Sequence, residues 1–111
     1  MGLFSKIFGK APTKNDHLVT VHIKLSPGAM QFNDIEPLVL RLKQVMGEAG
    51  TGMFQGTDRD QAELRIYLYG ANADRLFSSI NPVLDQEGMP PGSFAMLRYG
   101  PAGSPERRCI L

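Results

Sequence analysis

The chain has 111 residues, 42% hydrophobic and 21% charged, with a formal net charge of +1, which fits one domain around one hydrophobic core. That balance supplies no overall field to draw in nucleic acid or anionic lipid, and no apolar run is long enough to cross a bilayer. Cys109 is the only cysteine, so no internal disulfide can form, and a reducing, cytoplasmic setting is expected.

The chain opens with "MGLFSKIFGK". This is too short and too little apolar for a secretory signal. On a helix, Leu3, Phe4, Ile7 and Phe8 would share one face, which fits weak contact with a membrane surface. A frayed leader, or one docked on its own domain, fits the same pattern. With "KAPTKND" as linker, residues 1–16 read as a flexible leader, 17–100 as one α/β domain and 101–111 as a tail.

"HLVTVHIKL", His17 to Leu25, alternates as a half-buried strand does: Val19, Val21, Ile23 and Leu25 point one way and Thr20, His22 and Lys24 the other. "SPGAMQ" supplies turn residues. "NDIEPLVLRLKQVMGEAG" places Ile35, Leu38, Val39, Leu42, Val45, Met46 and Ala49 at helical spacing. Asn33 can cap this helix with Glu36 as its capping-box partner, Pro37 is tolerable in the first turn, and Gly50 is a suitable stop.

"TGMFQG" reads as a weak strand and "TDRD" as a polar turn. "AELRIYLY" is a strong strand, with Ala62, Leu64, Ile66 and Leu68 on one face and Glu63, Arg65, Tyr67 and Tyr69 on the other. "NADRLFSSINPVLDQEG" is a second helix with Leu76, Phe77, Ile80, Val83 and Leu84 as its stripe; Pro82 is expected to kink it or split its last turn, and Gly88 to stop it. "SFAMLRYG" is the last strand. Its parity is open, because Ala95, Leu97 and Tyr99 compete with Phe94 and Met96 for the core. The end of the tail can add a short edge strand.

The order strand, helix, strand, strand, helix, strand predicts an α+β domain, a ferredoxin-like α/β plait (βαββαβ). Its sheet would be antiparallel and four-stranded, with the fourth, first, third and second strands side by side and both helices on one face. The outer face would carry Thr20, His22 and Lys24 beside Glu63, Arg65, Tyr67 and Tyr69.

The glycines of "GTGMFQG" do not make a nucleotide loop. Such a loop follows a strand and opens a helix, whereas Gly50 closes one. Three residues, not two, precede the third glycine, and no Walker lysine follows. Gly50 then serves as a helix stop, Gly52 as a close approach or bulge, and Gly56 as the start of the hairpin turn.

"GTGMFQG", "LRIYLYGANADRLFSSINPVL" and "LRYGPAG" resemble a group of small, uncharacterised bacterial single-domain proteins. Those carry GTG-x-aromatic-x-G, L-Y-x-Y-G, A-D-x-L-F and L-R-Y-G-P-x-G segments. The resemblance runs from Gly50 to Gly103 and implies an architecture, not an activity. Met53 and Gln55 stand where that group tends to carry acidic residues, which argues against an acidic site here.

No catalytic residue, cofactor or metal site is expected. Asp58 and Asp60 lack the further oxygen ligands of a calcium loop and suit a turn. His17 and His22 fall on opposite sides of a strand and cannot pair as ligands. Cys109 follows two arginines that could lower its pKa, but a free tail gives it no fixed geometry; it also stands third from the end, where a prenylation box needs it fourth. Ser78 and Ser79 lie in a helix without a nucleophile elbow. Tyr67 and Tyr69 near Arg65 and Lys24 are similar to plait proteins that stack RNA bases, yet Glu63 and the missing glycine–aromatic run argue against nucleic acid. The expected interface is therefore His22, Lys24, Arg65, Tyr67 and Tyr69, meeting a protein partner or a second copy, with an inhibitor or immunity-type role as one version. A small-molecule regulatory domain with a pocket at a dimer interface is the alternative, and an enzyme ranks third.

Overall fold

The alternation of small-to-medium apolar residues with polar ones along two strands organises the molecule. The computed structural model describes residues 16–25 and 35–111. Its elements are β1 (His17–Lys24), α1 (Ile35–Ala49), β2 (Met53–Arg59), β3 (Glu63–Gly70), α2 (Ala73–Glu87), β4 (Phe94–Arg98) and β5 (Glu106–Ile110). Expectations for the leader, for "SPGAMQ" and for an Asn33 cap fall on 1–15 and 26–34, outside the described residues.

The described strands form one five-stranded sheet in the order β2-β3-β1-β4-β5, antiparallel throughout. This overturns the four-stranded ferredoxin-like plait: the domain is α+β, with two described helices and a fifth strand closing one side. The added strand comes from the segment after β4. Gly100 and Gly103 take positive φ values, 150° and 96°, where glycine is favoured. Ser104 N–H donates to the Pro101 carbonyl at 3.0 Å and Tyr99 N–H to that of Pro105 at 3.0 Å. The chain thus reverses, and Glu106–Ile110 pairs along β4, with Ala95 opposite Cys109 and Leu97 opposite Arg107. Cys109 is accordingly held half-buried against the core instead of lying in a free tail.

A second correction concerns "TDRD". Thr57, Asp58 and Arg59 continue β2, and the turn falls at Asp60, whose carboxylate accepts from the N–H groups of Ala62 and Glu63 at 2.7 and 3.0 Å. Gly56 lies within the strand, after a register shift between Phe54 and Gly56, and does not begin the hairpin.

One face of the sheet meets both helices. Val19, Val21, Ile23, Leu64, Ile66, Leu68, Ala95 and Leu97 join Leu38, Leu42, Met46, Leu76, Ile80, Val83 and Leu84 in a single core. The parity of β4 is now fixed: Ala95 and Leu97 point inward, Phe94 and Met96 outward. Gly50, at φ +66°, ends α1. Asn72 caps α2 by accepting from the Arg75 N–H at 3.1 Å. His17 Nδ1 accepts from the Ala73 N–H at 3.0 Å, tying the start of β1 to the start of α2. The helix runs through Pro82 to Glu87 without a break and ends at Gly88, at φ +77°. Among the described residues no helix is long and apolar enough to cross a membrane.

Gly52 and Gly70 bring the start of β2 against the end of β3. A Cβ on Gly52 would stand 2.7 Å from the Tyr69 carbonyl oxygen and 2.6 Å from Leu76 Cδ1, closer than real contacts allow. The Thr51 carbonyl oxygen leaves no room for one on Gly70. These glycines are spacers between packed strands, not a phosphate cradle.

Leu42→Ala is expected to cost about 2–5 kcal/mol in a denaturant melt, the range for a leucine removed from a closed core. Gly52→Ala should cost about 1–3 kcal/mol, because backbone and not only side chain must shift. Gly56→Ala, whose added Cβ meets nothing within 4 Å, should melt close to the parent protein.

Candidate functional site

Because side chains alternate across a strand, burying Val19, Val21 and Ile23 turns Leu18, Thr20, His22 and Lys24 to the opposite face. The registers align these with the outward residues of the neighbouring strands. Arg65, His22 and Phe94 lie level across β3, β1 and β4; so do Tyr67, Thr20 and Met96, and Tyr69, Leu18 and Arg98. β2 contributes Met53, Gly56 and Asp58, and β5 contributes Glu106, Arg108 and Ile110. No described helix covers this face.

Its centre is an ion network around Glu63, whose side chain is only 14% exposed. His22 Nδ1 lies 2.8 Å from one carboxylate oxygen, so that nitrogen carries the proton and donates. Arg65 donates to the same oxygen at 2.8 Å, and Lys24 Nζ to the other at 3.2 Å. Burial alone would raise this carboxyl, but the hydrogen bonds from His22, Arg65 and Lys24 outweigh it and hold it down to about 2. Arg65 also donates to Asp58 at 2.6 Å and to Asp60 at 3.2 Å, which raises its own pKa further. Backbone donation from Ala62 and Glu63, joined by Arg65, lowers Asp60. Tyr67 donates to the second Asp58 oxygen at 3.2 Å.

Beside the network stands a stack. The His22 ring lies on Phe94 at 4.4 Å, nearly parallel, and the Arg108 guanidinium sits 3.9 Å from the same ring centroid. Thr20, 7% exposed, is covered between Tyr67 and Met96. At the Tyr69 end the face dips into a shallow cleft lined by Asp16, His17, Leu18, Gln55, Tyr69 and Arg98.

The five residues singled out in the sequence, His22, Lys24, Arg65, Tyr67 and Tyr69, all lie on this face. The network joins His22, Lys24, Arg65 and Tyr67 through Glu63 and Asp58; Tyr69 stands apart at the cleft. Sequence reasoning missed Asp58, Phe94, Met96, Arg98 and Arg108. The alternation Phe94, Met96, Arg98 was the available signal, cancelled by an equally apolar opposite parity.

Other reactive side chains are spoken for. Tyr99 donates to Asp74 at 2.7 Å, and Arg107 to the same oxygen at 3.1 Å; burial together with Asp74 raises the Tyr99 pKa. Ser79 Oγ lies 2.7 Å from the Leu76 carbonyl oxygen and 2.7 Å from Thr51 Oγ1. Among the described residues no three His, Cys, Asp or Glu side chains gather as a metal-ligand set. Comparisons with protein-family models, curated proteins and solved structures return no match.

The folded Glu63 pKa lies below the unfolded value of 4.5. Its stabilisation is therefore present above about pH 4.5 and is lost as the pH falls through about 2. Glu63→Gln should lose about 1–3 kcal/mol at pH 7, discounted for partial exposure. Its stability should also fall less steeply than the parent's between about pH 4.5 and 2, as urea melts across that range will read.

Proposed function

We propose that this chain is a protein-binding module whose interface is the outer face of the sheet. The reading is carried by one observation: a sheet face that no described element covers sets aromatic and apolar side chains among ion pairs already satisfied within the chain. Tyr67, Tyr69 and Phe94 supply contact area with few rotatable bonds to order, the economy that favours aromatic anchors at interfaces, and Leu18 and Met96 add apolar surface beside them. Asp58, Glu63, Arg65 and Lys24 are held by one another, so a partner orders few new charges on docking. An inhibitor or immunity-type protein is one concrete form. A bacterial, cytoplasmic setting belongs to the same reading, supported by the single cysteine and by the resemblance along Gly50 to Gly103.

A second reading, a small-molecule regulatory domain, is favoured by the cleft where Tyr69 offers a stacking surface and Arg98 a guanidinium. It differs in that occupancy would depend on Tyr69 and Arg98 and not on Tyr67.

The test places a photo-crosslinking phenylalanine at Tyr67, and separately at Leu40, which is 62% exposed on α1. In the native cell the first position should yield a protein adduct and the second should not. Adducts from Leu40 with none from Tyr67 would overturn the reading. Tyr67→Ala should weaken the association by about 1–2 kcal/mol and change the melt little.

A further inference from the structure

We infer that the occupant of the open face is a second copy of this chain, related to the first by a two-fold axis running along β1. The inference rests on reading that face as a protein interface, and it adds the partner's identity and its orientation.

Charge is divided unevenly across the strands. On the β2–β3 side Asp58, Asp60 and Glu63 stand against Arg65. On the β4–β5 side Arg98 and Arg108 stand against Glu106. Among the described residues neither Arg98 nor Arg108 pairs with a carboxylate: Arg98 Nε donates to the Gly100 carbonyl at 2.7 Å, and Arg108 rests on Phe94. Asp58 is more than half exposed. One side of the face is thus richer in carboxylates, and the other carries guanidinium groups without a carboxylate partner among the described residues. A surface divided in this way is complementary to itself only when turned so that its two sides exchange.

A two-fold axis along β1 makes that exchange. It keeps each residue's level along the strands while laying β2 over β5 and β3 over β4. Residues sharing a level then meet. Tyr67 faces the second copy's Met96, a sulfur–aromatic contact. Tyr69 faces the second copy's Arg98, a cation–aromatic contact. Arg108 falls level with the second copy's Gly56. Gly56 has no side chain to obstruct it, and Asp58 lies two residues further along the same face. By symmetry each contact occurs twice. The other face-to-face two-fold, running across the strands at the level of Thr20, would lay Arg108 on Arg108, Tyr67 on Tyr67 and Met96 on Met96. Like guanidinium groups opposed in that way cost free energy, so the charges select the first arrangement.

Sedimentation equilibrium of the full chain tests this, with Arg108→Glu, Asp58→Arg, the double exchange Asp58→Arg/Arg108→Glu, and Gly56→Trp. The parent chain should form a dimer that weakens with added salt. Each single charge reversal should lower the association constant by about 10-fold or more, and the double exchange should restore it to within about 3-fold of the parent. Gly56→Trp, on a position with open space above it, should abolish the dimer while melting normally. It keeps the test decisive if Asp58→Arg, which also loses an internal partner, fails to fold. A parent chain that stays monomeric, or normal dimerisation by Arg108→Glu and Gly56→Trp, overturns the inference. The Tyr67 photo-adduct separates the two levels. Twice the chain's own mass supports the second copy. An adduct with a different protein removes the second copy but keeps the interface, and no adduct removes both.

Discussion

The alternation along β1 is the constraint from which the remaining architecture follows. β1 lies between β3 and β4, hydrogen-bonded on both edges, and its inward Val19, Val21 and Ile23 are wholly buried. A slip of one residue in either pairing would turn every side chain to the wrong face, placing His22 and Lys24 in the core and three aliphatic residues outside. The same strand therefore fixes both the packing under α1 and α2 and the composition of the outer face. The interface and the core are two halves of one pattern, which is why strand residues alone supply all of the ion network except Asp60, held in the turn after β2.

Much of this was legible in the residues. Helix boundaries were, because capping chemistry is local: Asn72 and Gly88 bracket α2, and Gly50 ends α1. The inward rows of β1 and β3 were, because an apolar residue at every second position suits a strand with one buried face and little else. The fifth strand was legible only as an option, a short edge strand at the end of the tail, which Glu106–Ile110 forms; Glu106, Arg107 and Arg108 have no apolar alternation, and their pairing is imposed by a turn some residues away. Asp58 misled because aspartate favours turns; here its carboxylate is bound by Arg65 and Tyr67, a tertiary gain that outweighs a local preference. β4 left its parity open because both of its faces are apolar, one packed under the helices and one on the outer face. That ambiguity hid Phe94 and Met96, and with them half of the candidate interface.

Glu63 shows how isolated charges mislead when read without their neighbours. In sequence it adds a negative charge beside two tyrosines. In the fold it is surrounded by His22, Lys24 and Arg65, so its charge is largely neutralised where it stands. Partly buried ion pairs of this kind contribute modestly to stability, because desolvation offsets much of the attraction. Their greater effect is geometric. Four long or branched side chains are held in one arrangement, and the aromatic rings beside them inherit that order.

The central position of β1 also governs when the chain can fold. Its two neighbours, β3 and β4, begin more than forty and more than seventy residues after it does. On the ribosome, an emerging β1 has no strand to pair with until β3 follows, and its second edge stays open until β4 has left the exit tunnel. Non-local pairing of this kind makes for slow closure, and an apolar strand waiting for partners is exposed to other chains meanwhile. The polar row Thr20, His22 and Lys24 on its other face then acts as a guard during synthesis, before it has any part in the finished surface.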